Sequence, residues 1–428
     1  MGETTNDPRD WVRHVIWWHV YPLGFTGAYP DPEDGGDHGL DRIVPWLDHL
    51  VELGLSGLAL GPIFASATHG YDTLDFDVVD ARLGGDEAFD RLVAECRRRG
   101  IRILLDGVFN HVAPAFAHQG WIRRGADGEP ETFEGHGGLL ELDHDDPDVV
   151  DAVVEVMSRW LERGADGWRL DAAYAVDPRF WARVLPRVRE RHPSAWFTGE
   201  VIHGDFGAFV TAATVDSVTQ YELWQGIWHA ISDRNLFELA HAIERDNAML
   251  DVFVPTTFVG NHDVTRLSSA IGADFVPHAV ALLCTLAGTP MIYAGDEDGL
   301  TGVKEERFGG DDAVRPAFAD AAPAADALSP AARALRTVHH DLLSLRRQHA
   351  WLHSARTDVI DVTNTSIVLR TATADDGVVT ALNLADGQVE LPAADAMRVL
   401  AGEATVADSM VRLPPRGWAV LSTRPSGD

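Results

Sequence analysis

The side chains best suited to catalysis in this sequence stand where short apolar runs end. They are four carboxylates, two histidines and one arginine: Asp106, Asp171, Glu200, Asp263, His111, His262 and Arg169. Helix capping accounts for one or two such aspartates, since aspartate is a common N-cap. Acids at four separate run ends instead predict one shared site, provided that the runs are parallel strands of a barrel.

This set of residues suits hydrolysis, and two mechanisms compete. Zinc hydrolysis uses clustered His and Asp ligands, but neither histidine has HxH or HExxH spacing, so we predict no metal site. Glycoside hydrolysis needs a nucleophilic carboxylate and a carboxylic acid, about 5–5.5 Å apart in retaining enzymes. Asp171 and Glu200 at neighbouring strand ends suit that distance, because adjacent strands lie about 4.8 Å apart. Arg169, two positions before Asp171, points to the same side and would keep Asp171 ionised.

Aromatic residues near the same runs could stack on the faces of a sugar. They are Tyr71, Phe109, Trp168, Tyr174, Trp224 and Trp228. Each of them alone is more often part of a hydrophobic core than a binding platform. Together they favour a carbohydrate substrate.

The apolar runs that must position these residues recur eight times, with amphipathic stretches between them. They cover residues 15–20, 57–60, 101–105, 167–170, 196–198, 217–221, 253–258 and 290–293. Two of the stretches end at a glycine, as helices often do: 86–99 before Gly100 and 147–163 before Gly164. This repeat predicts an α/β fold, a (β/α)8 TIM barrel. An open doubly wound sheet is the alternative, but it usually has fewer strands and a glycine-rich phosphate turn.

Two regions depart from the β/α repeat. Residues 113–144 form a Gly- and Glu-rich excursion after the third strand that is too long for an ordinary loop. Beyond a last helix at 330–349, short alternating strands predict an antiparallel β-sandwich. We therefore predict a catalytic barrel (1–112 and 145–350), a short inserted domain (113–144) and a C-terminal β domain (351–428).

Composition argues against several classes of function. The 428 residues include 35 basic and 66 acidic side chains, a formal net charge of −31 that disfavours nucleic acid and anionic membrane surfaces. Lys304 is the only lysine, and its acidic loop is a poor setting for a Schiff base or a phosphate site. Cys96 and Cys284 lie in apolar segments and indicate a reducing compartment. With neither a signal peptide nor a membrane span recognised, we expect a cytoplasmic protein.

The strings around the acids resemble the conserved regions of the α-amylase superfamily of glycoside hydrolases. In chain order they are Asp106-Gly-Val-Phe-Asn-His, Gly167-Trp-Arg-Leu-Asp-Ala-Ala, Gly199-Glu-Val and Phe258-Val-Gly-Asn-His-Asp. The resemblance implies that Asp171 is the nucleophile, Glu200 the acid/base and Asp263 the carboxylate that stabilises the transition state. It also implies a retaining mechanism, with a covalent glycosyl-enzyme on Asp171.

The same resemblance implies a set of residues that bind the sugar. Arg169, His111 and His262 would hydrogen-bond the reacting unit, and Tyr71 would stack on its ring. The full predicted binding set is Tyr71, Asp72, Asp106, His111, Arg169, His262 and Arg315.

Within the superfamily, the chain is most similar to the neopullulanase, cyclomaltodextrinase and maltogenic amylase group. That similarity extends from Gly167 through to Phe180-Trp181 and includes Gly295-Asp-Glu-Asp-Gly-Leu-Thr-Gly. The chain departs from the group at Leu140 and Asp143, where the group's marker has proline and asparagine. We also expect it to lack the group's N-terminal β-domain, since the first predicted strand begins at residue 15.

A further departure concerns calcium. Typical α-amylases have Lys-His where this sequence has Tyr174-Ala175, so we expect no amylase-type calcium arrangement and no cofactor. Asn110 and the acids of 143–146 are the residues that could form a calcium site of another design.

The leading hypothesis is an intracellular enzyme that hydrolyses α-1,4 and/or α-1,6 bonds in maltooligosaccharides and in cyclic or branched α-glucans. A cyclic maltosyl-maltose hydrolase lies within that range. The alternative is an exo-acting α-glucosidase, indicated by Asp72 and Arg315, which could pair to close a pocket, or an α-glucan transglycosylase using the same acids. A non-catalytic binding homologue is disfavoured, because all three catalytic acids are present. The expected partner is the glucan alone, bound by a monomer or homodimer.

Overall fold

Eight short strands belong to one parallel sheet, which confirms the predicted (β/α)8 fold class. They are β1 (Trp17–Val20), β2 (Gly57–Leu60), β3 (Arg102–Gly107), β4 (Gly167–Leu170), β5 (Trp196–Gly199), β6 (Ser217–Val218), β7 (Thr256–Phe258) and β8 (Thr289–Tyr293). The structure is a computed structural model that describes residues 7–29, 39–307, 309–393 and 395–423.

Helices alternate with these strands, and most of them start at a proline or at a capping side chain. They are α1 (Pro22–Phe25), α2 (Leu47–Leu53), α3 (Gly85–Arg99), α4 (Pro147–Arg163), α5 (Pro178–Arg191), α6 (Phe206–Ala213), α7 (Tyr221–Ser232), α8 (Leu236–Met249), α9 (Leu267–Ile271), α10 (Val276–Thr285) and α11 (Pro330–Gln348). Both predicted glycine stops are confirmed: Gly100 and Gly164 have φ angles of 70° and 123°. No helix in the described ranges is long and apolar enough to cross a bilayer.

Contacts within the chain divide it into two compact units. One comprises Met1–Val51, Ser56–Thr219 and Arg315–Ala322, and the other comprises Glu52–Leu55, Gln220–Val314 and Pro323–Asp428. The predicted division into a barrel, an inserted domain and a C-terminal domain stays a prediction. Its outer ends, residues 1–6 and 424–428, lie outside the described residues.

In the first unit, β1 to β6 are hydrogen-bonded in the order β6-β5-β4-β3-β2-β1. An antiparallel hairpin after β2, Phe64–Ser66 with Thr73–Val79, carries the loop that holds Tyr71. The predicted insertion is bounded by His111–Val112 and Leu140–Glu141, which pair antiparallel. It contains two single-turn 3-10 helices, one of which is Phe133–Gly135.

In the second unit, β7 pairs with β8, and eight further strands follow α11. They are β9 (Arg356–Val362), β10 (Ser366–Ala372), β11 (Gly377–Asn383), β12 (Val389–Pro392), β13 (Ala396–Gly402), β14 (Thr405–Ala407), β15 (Met410–Leu413) and β16 (Trp418–Thr423). They form two antiparallel sheets in the orders β9-β10-β11-β16-β13 and β12-β15-β14. Val379 and Leu421 of one sheet share a buried core with Val411 and Leu413 of the other. This is the predicted β-sandwich.

Asp246 on α8 is a buried acid of the second unit that we expect to destabilise the fold above neutral pH. Its Oδ1 accepts a hydrogen bond from Gln220 Nε2 at 2.9 Å. Burial raises the pKa of Asp246 to about 7, against the lowering effect of that hydrogen bond. The folded state therefore holds a proton that the unfolded chain releases near its ordinary pKa, so stability falls as pH rises from about 4 to about 7.

Asp246→Asn should remove this pH dependence, because an amide keeps the bond to Gln220 without a charge. At pH 8 the variant should be more stable by an amount on the order of 1–4 kcal/mol, since one pKa unit is about 1.4 kcal/mol. The measurement is urea unfolding at pH 5 and pH 8, with the exposed Asp233→Asn as the matched control. A stability gain of equal size at both pH values would contradict the assignment.

Candidate active site

The carboxyl ends of three adjacent strands bring the predicted acids of the first unit together. In the parallel register Asp106 of β3 lies beside Arg169 of β4, and Leu170 of β4 lies beside Gly199 of β5. Asp171 and Glu200, the next residues along, therefore follow neighbouring strands at the same level. All four charged side chains are buried, each with less than a tenth of its surface exposed.

Arg169 is the centre of this cluster, because its single guanidinium contacts three carboxylates. Its Nη1 donates to Asp106 at 2.8 and 2.6 Å and to Asp171 Oδ1 at 3.1 Å. Its Nη2 lies 2.7 Å from Glu200 Oε1. Burial lowers the pKa of Arg169, but Asp106 and Glu200 outweigh it and hold that pKa well above the ordinary value of arginine. The cation is therefore permanent, and its charge-assisted contacts hold the three acids together.

Glu200 has a second partner that sequence reasoning did not identify. The backbone N–H of Ala172 donates to Glu200 Oε2 at 3.0 Å. Ala172 has a φ angle of 44°, in the left-handed region that residues with a Cβ adopt at a cost. The turn that follows the nucleophile candidate Asp171 is thus held in a strained conformation in which it orients the acid/base candidate.

Asp106 couples the cluster to the predicted stacking residue. Tyr71 Oη donates to Asp106 Oδ2 at 3.1 Å, so the tyrosine ring is fixed by the same carboxylate that binds Arg169. Burial raises the pKa of Asp106 to about 6, while Arg169 and Tyr71 act in the opposite direction. Asp106 therefore serves as an anchor for two binding residues.

Two more of the predicted binding residues of this unit, Asp72 and Arg315, have partners of their own. Asp72 is buried and accepts a hydrogen bond from Thr68 Oγ1 at 2.5 Å. The guanidinium of Arg315 lies over the ring of Tyr21 at 4.8 Å. These contacts position both side chains, and the pairing of Asp72 with Arg315 stays a prediction.

His111 contacts the insertion in a way that sequence reasoning missed. Its ring stacks on Phe133, with 4.6 Å between centroids and 11° between planes. Burial lowers the pKa of His111 to about 4, so the imidazole is neutral at pH 7 and acts as a hydrogen-bonding group without charge.

A second missed contact joins the insertion to the loop after β4. Tyr174 Oη donates to Glu134 Oε1 at 3.1 Å, and the Tyr174 ring lies 6.1 Å from that of His203. Glu134 has a φ angle of 50°. The only sequence signal for this contact was Gly135, which marks a tight turn at that point in a segment without periodicity.

The second unit carries His262 and Asp263 in the loop after β7. His262 Nε2 lies 3.1 Å from Asp263 Oδ2. The side chain of Asn261 holds this loop: its Oδ1 accepts from the Asp263 backbone N–H at 2.8 Å, and its Nδ2 donates to Tyr221 Oη at 3.1 Å. The last predicted carboxylate thus has a defined orientation.

The six aromatic residues proposed as sugar platforms separate into two groups. Phe109 and Trp168 have no exposed surface and pack in the core of the first unit, with 5.6 Å between their rings. The prediction that they stack on sugar is wrong. The other four are partly exposed: Tyr71, Tyr174, Trp224 and Trp228.

Possible metal ligands cluster in the hairpin after β2 and in the insertion. Among the described residues, Asp75, Asp77 and His118 form a group whose ligand atoms lie within 4.8 Å of one another. Two of the three are exposed, and Asp77 forms an ion pair with Arg159. Asn110 Nδ2 lies 3.1 Å from His111 Nδ1 and is thus turned toward the imidazole.

Comparison with known proteins identifies the relatives of this chain. Residues 19–132 and 131–334 match the family described as "Alpha amylase, catalytic domain". A maltogenic α-amylase of Bacillus acidopullulyticus is 28% identical over 340 residues, which cover 68% of this chain and 57% of the relative. A cyclomaltodextrinase of Geobacillus thermopakistaniensis is 30% identical over 340 residues, with the same two coverages of 68% and 57%. The chain thus spans little more than half the length of these curated relatives.

A solved structure matches over nearly its whole length. The cyclic α-maltosyl-(1→6)-maltose hydrolase of Arthrobacter globiformis superposes with a TM-score of 0.80 at 25% identity, covering 97% of this chain and 99% of that one. The family match spans most of the sequence and includes all four strings that carry the acids. The chain belongs to the α-amylase family of glycosidases.

Proposed function

We propose that this protein is a retaining glycosidase that cleaves α-1,4 and/or α-1,6 glucosidic bonds in maltooligosaccharides and in cyclic or branched α-glucans. The observation that carries the proposal is the guanidinium of Arg169 bound to both Asp171 and Glu200 at neighbouring strand ends. Two carboxyl groups held this close suit a double displacement, whereas inverting enzymes hold theirs about 6.5–9.5 Å apart to admit a water between them. The relatives named above, a maltogenic α-amylase and a cyclomaltodextrinase, support the substrate class.

In the first step Asp171 attacks the anomeric carbon and forms a β-glycosyl ester, while the bond to the leaving oxygen breaks. Glu200 gives its proton to that oxygen, which leaves as a hydroxyl group. Arg169 keeps Asp171 ionised and oriented for attack. Asp263 stabilises the positive charge that develops on the sugar ring as the bond breaks.

In the second step a water replaces the leaving group. Glu200, now ionised, takes a proton from this water as the water attacks the anomeric carbon; the bond from that carbon to Asp171 breaks, and the product is released with overall retention of the α configuration. The neutral imidazole of His111 hydrogen-bonds the sugar without adding a cation beside the developing charge. His262 provides a second hydrogen bond to the same sugar. Tyr71, held by Asp106, presents its ring to the same sugar.

The products formed from a panel of substrates test this proposal and its finer form. The panel is maltotriose, panose, pullulan, a cyclodextrin and cyclic maltosyl-maltose, with products separated by chromatography and the anomer assigned by NMR. Maltose units or ring opening would support the leading hypothesis. Glucose released singly from linear chains would identify the exo-acting alternative, and longer oligosaccharides would identify a transglycosylase. Release of the β anomer, or no cleavage of any member, would overturn the proposal.

We further propose that catalysis needs no metal. Two carboxyl groups perform both the proton transfer and the bond exchange, and Tyr174-Ala175 stands where typical α-amylases have their calcium-binding Lys-His. Activity and Tm should therefore survive extensive dialysis against EDTA. A large loss of either, restored by calcium and not by magnesium, would contradict this prediction.

The expected setting is the cytoplasm, with the glucan as the only partner of a monomer or homodimer. Cys96 and Cys284 support this setting, because both are free thiols buried in the fold, as is usual in a reducing compartment.

A further inference from the structure

The loop between β7 and α9, residues 259–266, carries Asp263 and meets the carboxylate of one buried residue near both of its ends. That residue is Asp296, in the loop after β8. Gly260 lies three residues before Asp263, and Arg266 lies three residues after it. The glycine meets Asp296 by close approach and the arginine by an ion pair, so one side chain links the start of the loop to its end.

Gly260 permits the first contact because it has no side chain. A methyl group at this position would lie 2.7 Å from Asp296 Oδ2, which is closer than Cβ atoms approach other atoms in folded proteins. That carboxylate oxygen has no hydrogen-bond partner among the described residues. Asp296 therefore limits how closely the start of the loop can approach, and a larger residue at position 260 would push the two apart.

Arg266 fixes the other end of the loop through several contacts. Its Nη1 donates to Asp296 Oδ1 at 3.1 Å and to the carbonyl oxygen of Ala294 at 2.6 Å, and its Nε donates to the carbonyl oxygen of Val314 at 3.1 Å. Its guanidinium carbon lies 3.9 Å from the centre of the Tyr293 ring. These partners belong to the end of β8 or to the segment that follows it, so that segment holds the end of the loop after β7.

The ion pair between Arg266 and Asp296 is buried. The Arg266 side chain has no exposed surface and that of Asp296 has 3%, so neither can reach a substrate. Burial raises the pKa of Asp296 to about 6 and Arg266 opposes that effect, so the carboxylate is charged at pH 7. A buried ion pair is a weak source of stability, because the cost of taking two charges out of water offsets most of their attraction. The specific effect of this pair is the position that it gives to the loop.

We propose that Asp296 and Arg266 are positioning residues that act on catalysis through Asp263. They hold the two ends of the loop after β7, so that the Asp263 carboxylate stays in place as positive charge develops on the sugar. The proposal rests on the proposed function, in which Asp263 stabilises that charge. Because the charge develops only in the transition state, loosening the loop should lower kcat and leave KM nearly unchanged.

Asp296→Ala removes both contacts and tests the proposal in two backgrounds. With α-glucosyl fluoride as the substrate, kcat should fall at least tenfold in the otherwise native enzyme, while KM changes less than threefold. In the Asp263→Asn background the same substitution should lower the residual kcat less than twofold, because the residue that Asp296 positions is already lost. A fall of similar size in both backgrounds, or no fall in either, would overturn the proposal.

Two further variants separate positioning from a general loss of structure. Asp296→Asn keeps the shape of the side chain and can accept the hydrogen bond from Arg266, so its kcat should exceed that of Asp296→Ala at least threefold. Asp298→Ala is the matched control, since Asp298 lies in the same loop and forms its ion pair with Arg336 of α11. It should leave kcat within twofold of the native value. A control that loses as much kcat as Asp296→Ala would also overturn the proposal.

Gly260→Ala gives a second route if Asp296→Ala does not fold. Its methyl group displaces the start of the loop and leaves both charged residues in place. We expect the same fall in kcat in the native background and the same lack of effect in the Asp263→Asn background. If neither variant folds, the two contacts serve the fold alone and the proposal is overturned.

Failure of the positioning role and failure of the proposed function give different results. A native enzyme that cleaves no α-glucan, or an Asp263→Asn variant with nearly native kcat, contradicts the proposed function. A strongly impaired Asp263→Asn variant that loses as much again on addition of Asp296→Ala as the native enzyme does contradicts only the positioning role.

Discussion

Replacing Asp171 with asparagine is expected to leave the fold intact and to reduce kcat by at least about 10³-fold. An amide cannot form the glycosyl ester on which the double displacement depends. The fold should survive, because the asparagine Oδ1 can still accept the hydrogen bond that Arg169 donates to Asp171 at 3.1 Å. The measurement is turnover of maltotriose beside circular dichroism and Tm of the same preparation.

Asp177→Asn provides the matched control for this variant. Asp177 caps α5 by accepting a hydrogen bond from the backbone N–H of Arg179, and asparagine caps helices equally well. The control should keep full activity, which separates loss of the nucleophile from any general effect of removing one acid. Retention of more than a few per cent of native turnover by Asp171→Asn would show that another group forms the covalent bond.

Replacing Glu200 with glutamine is expected to divide substrates by the quality of their leaving group. Hydrolysis of maltotriose should fall by about 10²- to 10⁴-fold, the usual contribution of general acid catalysis. Formation of the glycosyl-enzyme from α-glucosyl fluoride should be largely spared, because fluoride leaves without a proton. Equal loss on both substrates would assign Glu200 a binding or structural role.

Azide distinguishes the two carboxyl groups by stereochemistry. In Glu200→Ala it should attack the ester on Asp171 without help from a base and give an α-glycosyl azide. In Asp171→Ala it should attack the substrate directly and give the β-azide, because only one inversion then occurs. The opposite pattern, read by NMR of the product, would exchange the roles of the two residues.

The sequence was informative about this site where the β/α repeat dictates geometry. Parallel strands that follow one another in the chain place their carboxyl ends side by side. Because Asp171 and Glu200 come at the ends of two consecutive apolar runs, the sequence predicted that they are neighbours. Side-chain alternation correctly put Arg169 with Asp171. By the same alternation, Trp168, one residue before Arg169, lies on the opposite face of β4. The structure buries it there.

The contacts of the insertion could not be predicted, because they depend on tertiary packing alone. Phe133 and Glu134 lie in a segment without helical or strand periodicity, and nothing in their spacing indicates that they reach His111 and Tyr174. The sequence also could not fix where a strand ends when residues with high β propensity continue beyond that end. The predicted strand 217–221 stops at Val218, since Tyr221 begins α7 behind the capping side chain of Gln220.

The left-handed backbone of Ala172 limits how this enzyme can be made more heat resistant. A conformation of this kind costs about 1–3 kcal/mol for a residue with a Cβ, so glycine at this position would relieve strain. Glycine would also make the backbone at this position more flexible, so its N–H would orient Glu200 less firmly. A screen for thermal tolerance alone would therefore favour substitutions here that lower turnover. A screen should therefore select for thermal stability and for turnover together, because at this turn a substitution that raises one is expected to lower the other.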